Sequence, residues 1–202
     1  MNYHDYIWDL GGTLLDNYES STRAFVETLK EFGYQADHDS VYQKLKESTA
    51  DAIAYFIPEE ADFLKEYKAN EAKVLETPIL FQGAKELLAK IQRQGSRNFL
   101  VSHRDNQVIV ILEKTEIIDY FTEVVTADNG FSRKPSPESM LYLKEKYQID
   151  NCLVIGDRDI DKQAGESAGF DTLLVDGSKS LMEIYRVNDR RNKEYGTTCS
   201  RI

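Results

Sequence analysis

The chain has 202 residues, of which 41% are hydrophobic and 11% aromatic, and this is enough for one folded core with a small insertion. Its 35 Asp and Glu residues outnumber 25 Lys and Arg residues, and a net charge of −10 repels phosphate backbones and anionic lipid. We therefore expect neither a nucleic-acid nor a membrane partner, and no apolar run is long enough to span a bilayer.

The first nine residues, MNYHDYIWD, lack the basic region and the small-residue site of a signal peptide. The two cysteines, Cys152 and Cys199, form neither a metal-type pair nor a disulfide framework. These features predict a cytoplasmic protein. They do not indicate its oligomeric state.

In chain order, the first element is a short apolar strand over residues 6–9, and only helical patterns follow up to residue 80. The stretch STRAFVETLKEF, for example, places Phe25, Leu29 and Phe32 on one helical face. We predict an inserted all-helical domain over residues 17–80.

Strands and helices alternate after Gly83. The predicted strands are NFLVS, EVVTA, CLVIGD and DTLLVD, and the helix SPESMLYLKEKY is predicted to have Ser136 as N-cap and Pro137 at its first position. Such alternation predicts an α/β fold, a Rossmann-like and mainly parallel sheet with helices on both faces. This core takes in residues 1–16 and 81–186. Residues 187–202 have little apolar periodicity and are predicted to form a disordered tail.

Polar residues follow several of these strands. Asp9, Ser102 and Asp157 each end a predicted strand, and Lys134 follows EVVTA in the loop SRKPSP. Because the carboxyl ends of parallel strands meet at one edge of a sheet, we expect these side chains to lie together. Two carboxylates hold a hard cation such as Mg²⁺, a lysine and a hydroxyl hold phosphate oxygens, and a carboxylate that faces the phosphate is a candidate nucleophile.

Taken singly, each of these residues has an ordinary structural explanation. Asp9 and Ser102 are both candidates for capping the following turn or helix, Lys134 for a solvated surface lysine, and Asp157 and Asp161 for first-turn acids of a helix. Their order and spacing together favour a functional site.

The four motifs in order resemble those of the haloacid dehalogenase-like hydrolase superfamily, in the branch with a helical cap inserted after the first strand. The motifs are DLGGT at 9–13, Ser102, Lys134 in KPSPES, and Asp157 with Asp161 in IGDRDIDKQAGESAG.

The resemblance implies a Mg²⁺-dependent phosphatase for a small phosphorylated metabolite. Asp9 is then the nucleophile that forms an aspartyl-phosphate, Ser102 and Lys134 hold the phosphate, and Asp161 orients Lys134 or a metal-bound water. The implied metal ligands are Asp9, the backbone carbonyl of Gly11, Asp157 and Asp161. The backbone of residues 11–13, that is Gly11, Gly12 and Thr13, approaches the phosphate, and the cap over 17–80 closes over the site and selects the substrate.

Gly11 departs from the family pattern, which has Asp at this position to protonate the leaving alcohol. Such acid–base help contributes typically 10²- to 10⁴-fold. One interpretation is a phosphatase that is slow or restricted to good leaving groups. In a second interpretation His103, directly after Ser102, supplies the proton.

Other interpretations change the chemistry. Phosphonate-cleaving relatives also lack the second Asp and use a cap lysine as a Schiff base, a role for which Lys44 and Lys46 are the candidates. Dehalogenating relatives do not bind Mg²⁺, and the intact acids Asp157 and Asp161 argue against that chemistry. The last interpretation is a catalytically weak phosphate-ligand binder or regulatory protein.

Two further basic residues fall in predicted strand-end loops. Arg104 and Arg158 could bind a second anionic group of the substrate. Surface ion pairs with the many neighbouring acids are the expectation we favour for both.

Overall fold

The computed structural model describes residues 3–74 and 77–185. The chain divides into two compact units, one formed by Met1–Leu15 with Leu80–Ile202 and the other by Asp16–Ile79. The tail predicted for residues 187–202 lies outside the described residues. The assignment of residues 17–80 as a cap stays a prediction.

The α/β unit is built on a five-stranded parallel sheet in the order β3-β2-β1-β4-β5. The strands are β1 (Asp5–Trp8), β2 (Arg97–Val101), β3 (Phe121–Val125), β4 (Cys152–Gly156) and β5 (Asp171–Leu174). All four residues of β1 are buried, as expected for the central strand of a sheet covered on both faces. The predicted mainly parallel α/β fold is confirmed.

The α-helices of the described chain are α1 (Asn17–Glu31), α2 (His38–Glu47), α3 (Thr49–Phe56), α4 (Phe63–Val74), α5 (Ala84–Arg93), α6 (Gln107–Lys114), α7 (Glu138–Tyr147) and α8 (Asp159–Ser167). Two 3-10 turns, Ile118–Tyr120 and Ala127–Asn129, flank β3. None of the helices in the described ranges combines the length and the apolarity needed to cross a bilayer.

Alternating residues of the strands pack against different helices on the two faces of the sheet. Trp8 and Leu100 belong to one apolar cluster with α5 and α6, whereas Ile7 and Val154 belong to a second cluster with α7 and α8. This alternation follows from the two-residue period of a strand.

Two helix starts differ from the sequence prediction. Helix α7 begins at Glu138 with Pro137 as its N-cap residue, and Ser136 Oγ only accepts a long bond of 3.4 Å from the Glu138 N–H. Helix α1 begins at Asn17, four residues before the predicted start, because the Asp16 carboxylate accepts the Glu19 N–H at 2.9 Å. The first turn of α1 is polar, so hydrophobic periodicity did not reveal it.

The Asp16–Ile79 unit has its own aromatic core. The ring of Phe25 in α1 lies 4.9 Å from that of Phe63 and 5.1 Å from that of Tyr67, both in α4. These three side chains are fully buried. Edge-to-face aromatic packing therefore joins the two longest helices of this unit.

Candidate active site

The ends of the adjacent strands β1 and β2 position two polar residues of the candidate site. Asp9 directly follows β1, and its N–H donates to the Ile155 carbonyl of β4 at 2.9 Å. Ser102 follows β2 and donates its N–H to the Val125 carbonyl of β3, also at 2.9 Å. The ladder thus continues one residue past each strand. It brings both side chains to the carboxyl edge of the sheet.

Lys134 lies at the centre of this edge. Its Nζ is 2.5 Å from Oδ1 of Asp9 and 2.5 Å from Oδ1 of Asp161, and it donates to the Val101 carbonyl at 3.2 Å. The lysine side chain is only 2% exposed. Burial disfavours its charge, but the two carboxylates outweigh that cost and raise the pKa of Lys134 above its ordinary value.

Three carboxylates cluster beside this lysine. Oxygens of Asp9, Asp157 and Asp161 lie within 4.8 Å of one another. Burial, followed by repulsion from the other two acids, raises the pKa of Asp157 to about 7. Its Oδ1 is buried and has no hydrogen-bond partner among the described residues. Such an orphaned oxygen in a cluster of hard ligands fits a divalent cation.

The three acids differ in how far their charge is already satisfied. Asp161 pairs with Lys134 through Oδ1 and accepts the Arg158 N–H at Oδ2, 3.1 Å away. Asp157 has no ion pair in the described part of the chain. A cation would therefore gain most from Asp157, since Asp9 and Asp161 both pair with Lys134. The geometry of Asp161 suits the positioning of Lys134.

Two glycines leave the space that these acids occupy. Gly12 has φ +84°, and a Cβ atom there would overlap the Asp157 carboxylate. A Cβ atom on Gly156 would overlap the side chain of Asp161. Any larger residue at either position would displace a carboxylate from the cluster.

The turn after Asp9 contains two of the backbone N–H groups that the sequence analysis expects to approach a phosphate. The N–H of Gly12 donates to the Leu15 carbonyl at 2.9 Å, and the N–H of Thr13 donates to the Leu10 carbonyl at 3.4 Å. Thr13 is fully buried, and of the three residues predicted to approach a phosphate it is Gly11 that lines the cavity. Gly12 and Thr13 shape the turn instead, because a tight turn satisfies its own N–H groups.

His103 is held by a backbone contact. Its Nε2 accepts the Lys134 N–H at 2.7 Å. Burial, then the positive charges of Lys134 and Arg133, lower its pKa to about 4. The imidazole is therefore neutral near pH 7 with Nε2 unprotonated, which is the wrong state for a proton donor at that atom.

A cavity of about 170 Å³ opens at this edge of the sheet. Its lining includes Asp9, Gly11, Ser102, His103, Lys134 and Asp161 together with Arg104, Arg133 and Arg158. Within the described ranges none of these three arginines forms an ion pair. The surface ion pairs that we expected for Arg104 and Arg158 are therefore not formed there. The sequence reasoning also missed Arg133, although its position next to Lys134 was a signal that could have found it.

A family model for haloacid dehalogenase-like hydrolases matches residues 6–175. The chain belongs to this family. A hydrolase from Streptococcus pneumoniae TIGR4 of known crystal structure is 62% identical and has a TM-score of 0.89, over 94% of this chain and 100% of that one.

Two curated relatives of this haloacid dehalogenase-like hydrolase are phosphatases. The phosphoglycolate phosphatase of Aliivibrio fischeri is 26% identical over 179 residues, 80% of this chain and 79% of that protein. The fructose-1-phosphate phosphatase YqaB of Escherichia coli K12 is 28% identical over 182 residues, 86% of this chain and 96% of that protein. The protein is thus a phosphatase-like hydrolase, and the resemblance drawn from its four motifs is confirmed.

The two lysines considered for a Schiff base lie in α2, and their surroundings do not favour that role. Lys44 Nζ is 2.9 Å from Glu47, and this pairing raises the pKa of Lys44. Lys46 Nζ lies 5.9 Å from the centre of the Tyr42 ring. A Schiff base requires an unprotonated amine, which a neighbouring carboxylate opposes.

Proposed function

We propose that this chain hydrolyses a small phosphorylated metabolite through an aspartyl-phosphate on Asp9, with a divalent cation such as Mg²⁺ bound at the carboxylate cluster. The observation that supports this most strongly is the buried Lys134 ammonium, 2.5 Å from both Asp9 and Asp161 at the edge where Asp157 also lies. The two phosphatase relatives, whose names give small phosphorylated substrates, support the same substrate class.

The contacts of Asp9 support different roles for its two oxygens in this proposal. Oδ1 accepts from Lys134 Nζ, so Oδ2 is the oxygen that attacks phosphorus. Lys134 then lies beside the phosphoryl oxygens. The Ser102 hydroxyl accepts the Arg104 N–H at 3.2 Å, which leaves its own O–H to donate to the phosphoryl group.

The residues present fit a divalent cation. Asp9 and Asp157 would hold it, with the Gly11 carbonyl as a neutral ligand and Asp161 as the third acid of the cluster. When bound, such a cation offsets the negative charge of the carboxylates and of the transferring phosphoryl group.

Gly11 sets a limit on the substrate. It lines the cavity but has no side chain to donate a proton to the leaving oxygen. His103 cannot donate a proton from Nε2, because that atom accepts the Lys134 N–H. We therefore propose that turnover is slow with alkyl phosphates and faster with leaving groups that depart as stable anions.

The test is turnover of p-nitrophenyl phosphate with and without Mg²⁺. We expect Mg²⁺-dependent hydrolysis that falls roughly 10³-fold or more in Asp9→Asn, because the nucleophile is lost. The matched control is Asp150→Asn, an exposed acid outside the site, which should keep full activity. Equal rates in wild type and Asp9→Asn would refute the phosphatase and favour a phosphate-binding protein.

The intermediate has its own test. Acid quench during turnover followed by borohydride reduction converts an aspartyl-phosphate to homoserine, which peptide mass spectrometry locates. We expect homoserine at residue 9 in the wild type. Turnover without homoserine at that position would exclude the covalent route while leaving hydrolysis itself established.

A further inference from the structure

Three arginines line the same cavity as Asp9: Arg104, Arg133 and Arg158. They come from three different loops, which follow β2, β3 and β4, and all three are exposed to solvent. In the described part of the chain none of them has a carboxylate partner, whereas the charge of Lys134 is taken up by two acids. Three positive charges thus remain available to a molecule in the cavity.

This concentration of charge contrasts with the rest of the chain. The protein as a whole carries 35 acidic residues against 25 Lys and Arg and is net negative, whereas three arginines line this one cavity. The positive field is also felt by His103, whose pKa is lowered by burial and then by Lys134, Arg133 and Arg158. A cavity lined by one sign of charge attracts a ligand of the opposite sign.

The second observation is the missing acid at Gly11. An alkoxide is a poor leaving group without a proton, and neither Gly11 nor Nε2 of His103 can donate one to it. A phosphate leaving group departs as a stable oxyanion and needs no proton. It needs neutralisation of its charge, and arginine provides this with paired N–H donors that match phosphate oxygens.

We propose that the substrate is a small phosphoanhydride whose departing phosphate is held by Arg104, Arg133 and Arg158. This inference rests on the proposed function and names its leaving group. A second acidic group on an alkyl ester would also pair with the arginines, but the alkoxide would still lack its proton. The arginines and Gly11 are explained together only if the anion they hold is the one that leaves.

The reaction then balances without a protein acid. Asp9 Oδ2 forms a bond to the terminal phosphorus, and the bond from that phosphorus to the bridging oxygen breaks. Its electron pair stays on the departing phosphate, which leaves as an anion. Water then attacks the aspartyl-phosphate at phosphorus, loses one proton to solvent and releases hydrogen phosphate and the Asp9 carboxylate.

The test compares kcat/KM for inorganic pyrophosphate, p-nitrophenyl phosphate and glycerol phosphate. We expect pyrophosphate to exceed glycerol phosphate by about 100-fold or more, the scale of the missing acid's contribution. In Arg133→Gln and Arg158→Gln the ratio of pyrophosphate to p-nitrophenyl phosphate should fall about tenfold or more, as for a lost charge-assisted hydrogen bond. Arg93→Gln, at the end of α5, is the matched control and should leave the ratio unchanged.

Two outcomes would overturn the inference. The first is an unchanged ratio in both arginine variants, which leaves the proposed function intact if p-nitrophenyl phosphate is still hydrolysed through Asp9. The second concerns binding of imidodiphosphate, a non-hydrolysable analogue, measured by calorimetry on the wild type and the same variants. We expect about tenfold weaker binding in Arg133→Gln and Arg158→Gln. Equal binding in all variants would refute the inference even if no substrate is turned over.

Discussion

The Nζ atom of Lys134 lies 2.5 Å from Oδ1 of Asp9, although 125 positions separate the two residues in the chain. Both side chains are largely withdrawn from solvent, at 2% and 15% exposure. Lys134 contacts Asp161 at the same distance. One ammonium group therefore bridges two acids and reduces the repulsion between them at the edge of the sheet.

Replacing the Lys134 side chain with an uncharged one should lower the stability of the folded protein. We expect Lys134→Met to lose about 3–5 kcal/mol of unfolding free energy, because Asp9 and Asp161 lose the ammonium group that offsets their charge. Hydrolysis of p-nitrophenyl phosphate should also be lost. Urea denaturation without Mg²⁺ measures the first effect.

The double variant Lys134→Met/Asp161→Asn separates stability from function. It should recover part of the lost stability, since one of the two unpaired charges is removed, and it should stay inactive. Lys85→Met is the control, since Lys85 is an exposed lysine that pairs with Glu116 at 2.5 Å. A Lys134→Met protein as stable as this control would contradict the buried bridge.

Gly12 offers a second test of the cluster. We expect Gly12→Ala to weaken binding of a divalent cation strongly, because the new Cβ would displace the Asp157 carboxylate. Gly95→Ala is the matched control, since Gly95 has a similar φ of +79° but no atom within 4 Å of its Cβ position. Both variants should lose roughly 1–2 kcal/mol of stability from the left-handed backbone. Titration with Mn²⁺ followed by electron paramagnetic resonance measures the difference, and equal affinity in the two variants would contradict the clash.

The sequence predicted the sheet and its polar edge because both depend on local pattern. The apolar stretches around β1, β2 and β4 each run directly into a polar residue, Asp9, Ser102 or Asp157. Parallel strands then place these residues at one edge without further information. Family membership, read from the same motifs, is confirmed by the family model.

Other features depend on contacts that no local pattern records. The turn after Asp9 closes on itself, so the N–H of Gly12 faces Leu15 and not the cavity. The position of Arg133 beside Lys134 is a sequence signal, but only the fold shows that Arg133 lines the cavity. Likewise, the acceptor role of His103 toward Lys134 depends on a loop 31 positions away.

Restoring a carboxylate tests the role of Gly11. Gly11→Asp should raise kcat for glycerol phosphate by about 100-fold, because the leaving alkoxide then receives a proton. Pyrophosphate turnover should gain little, since phosphate leaves without one. Gly11→Asn has the same size without the acid and is the control. Equal gains in both variants would show that side-chain volume, not proton donation, limits the rate.

The lowered pKa of His103 predicts how the stability of the fold depends on pH. Its pKa, lowered to about 4, lies below the value of about 6.5 expected in the unfolded chain. The unfolded state therefore takes up this proton first as the pH falls. The stability that neutral His103 contributes is lost between about pH 6.5 and pH 4. We expect its imidazole resonances to titrate near pH 4 in phosphate-free buffer, and His103→Gln should reduce the acid sensitivity of the unfolding midpoint. A midpoint near 6.5 would contradict the acceptor role.

Mg²⁺ should stabilise the folded protein through Asp157. A ligand at ten times its Kd adds about 1.4 kcal/mol, which corresponds to a rise of about 3–6 °C in Tm for a chain of this length. Asp157→Asn should abolish this rise, because the buried and unpartnered Oδ1 is replaced by a neutral amide. The same variant should be more stable than wild type without metal, since Asp9 and Asp161 lose a repelling neighbour. Thermal unfolding in MgCl₂ against NaCl of equal ionic strength, with Asp150→Asn as the control, measures both effects, and an undiminished Mg²⁺ shift in Asp157→Asn would place the cation elsewhere.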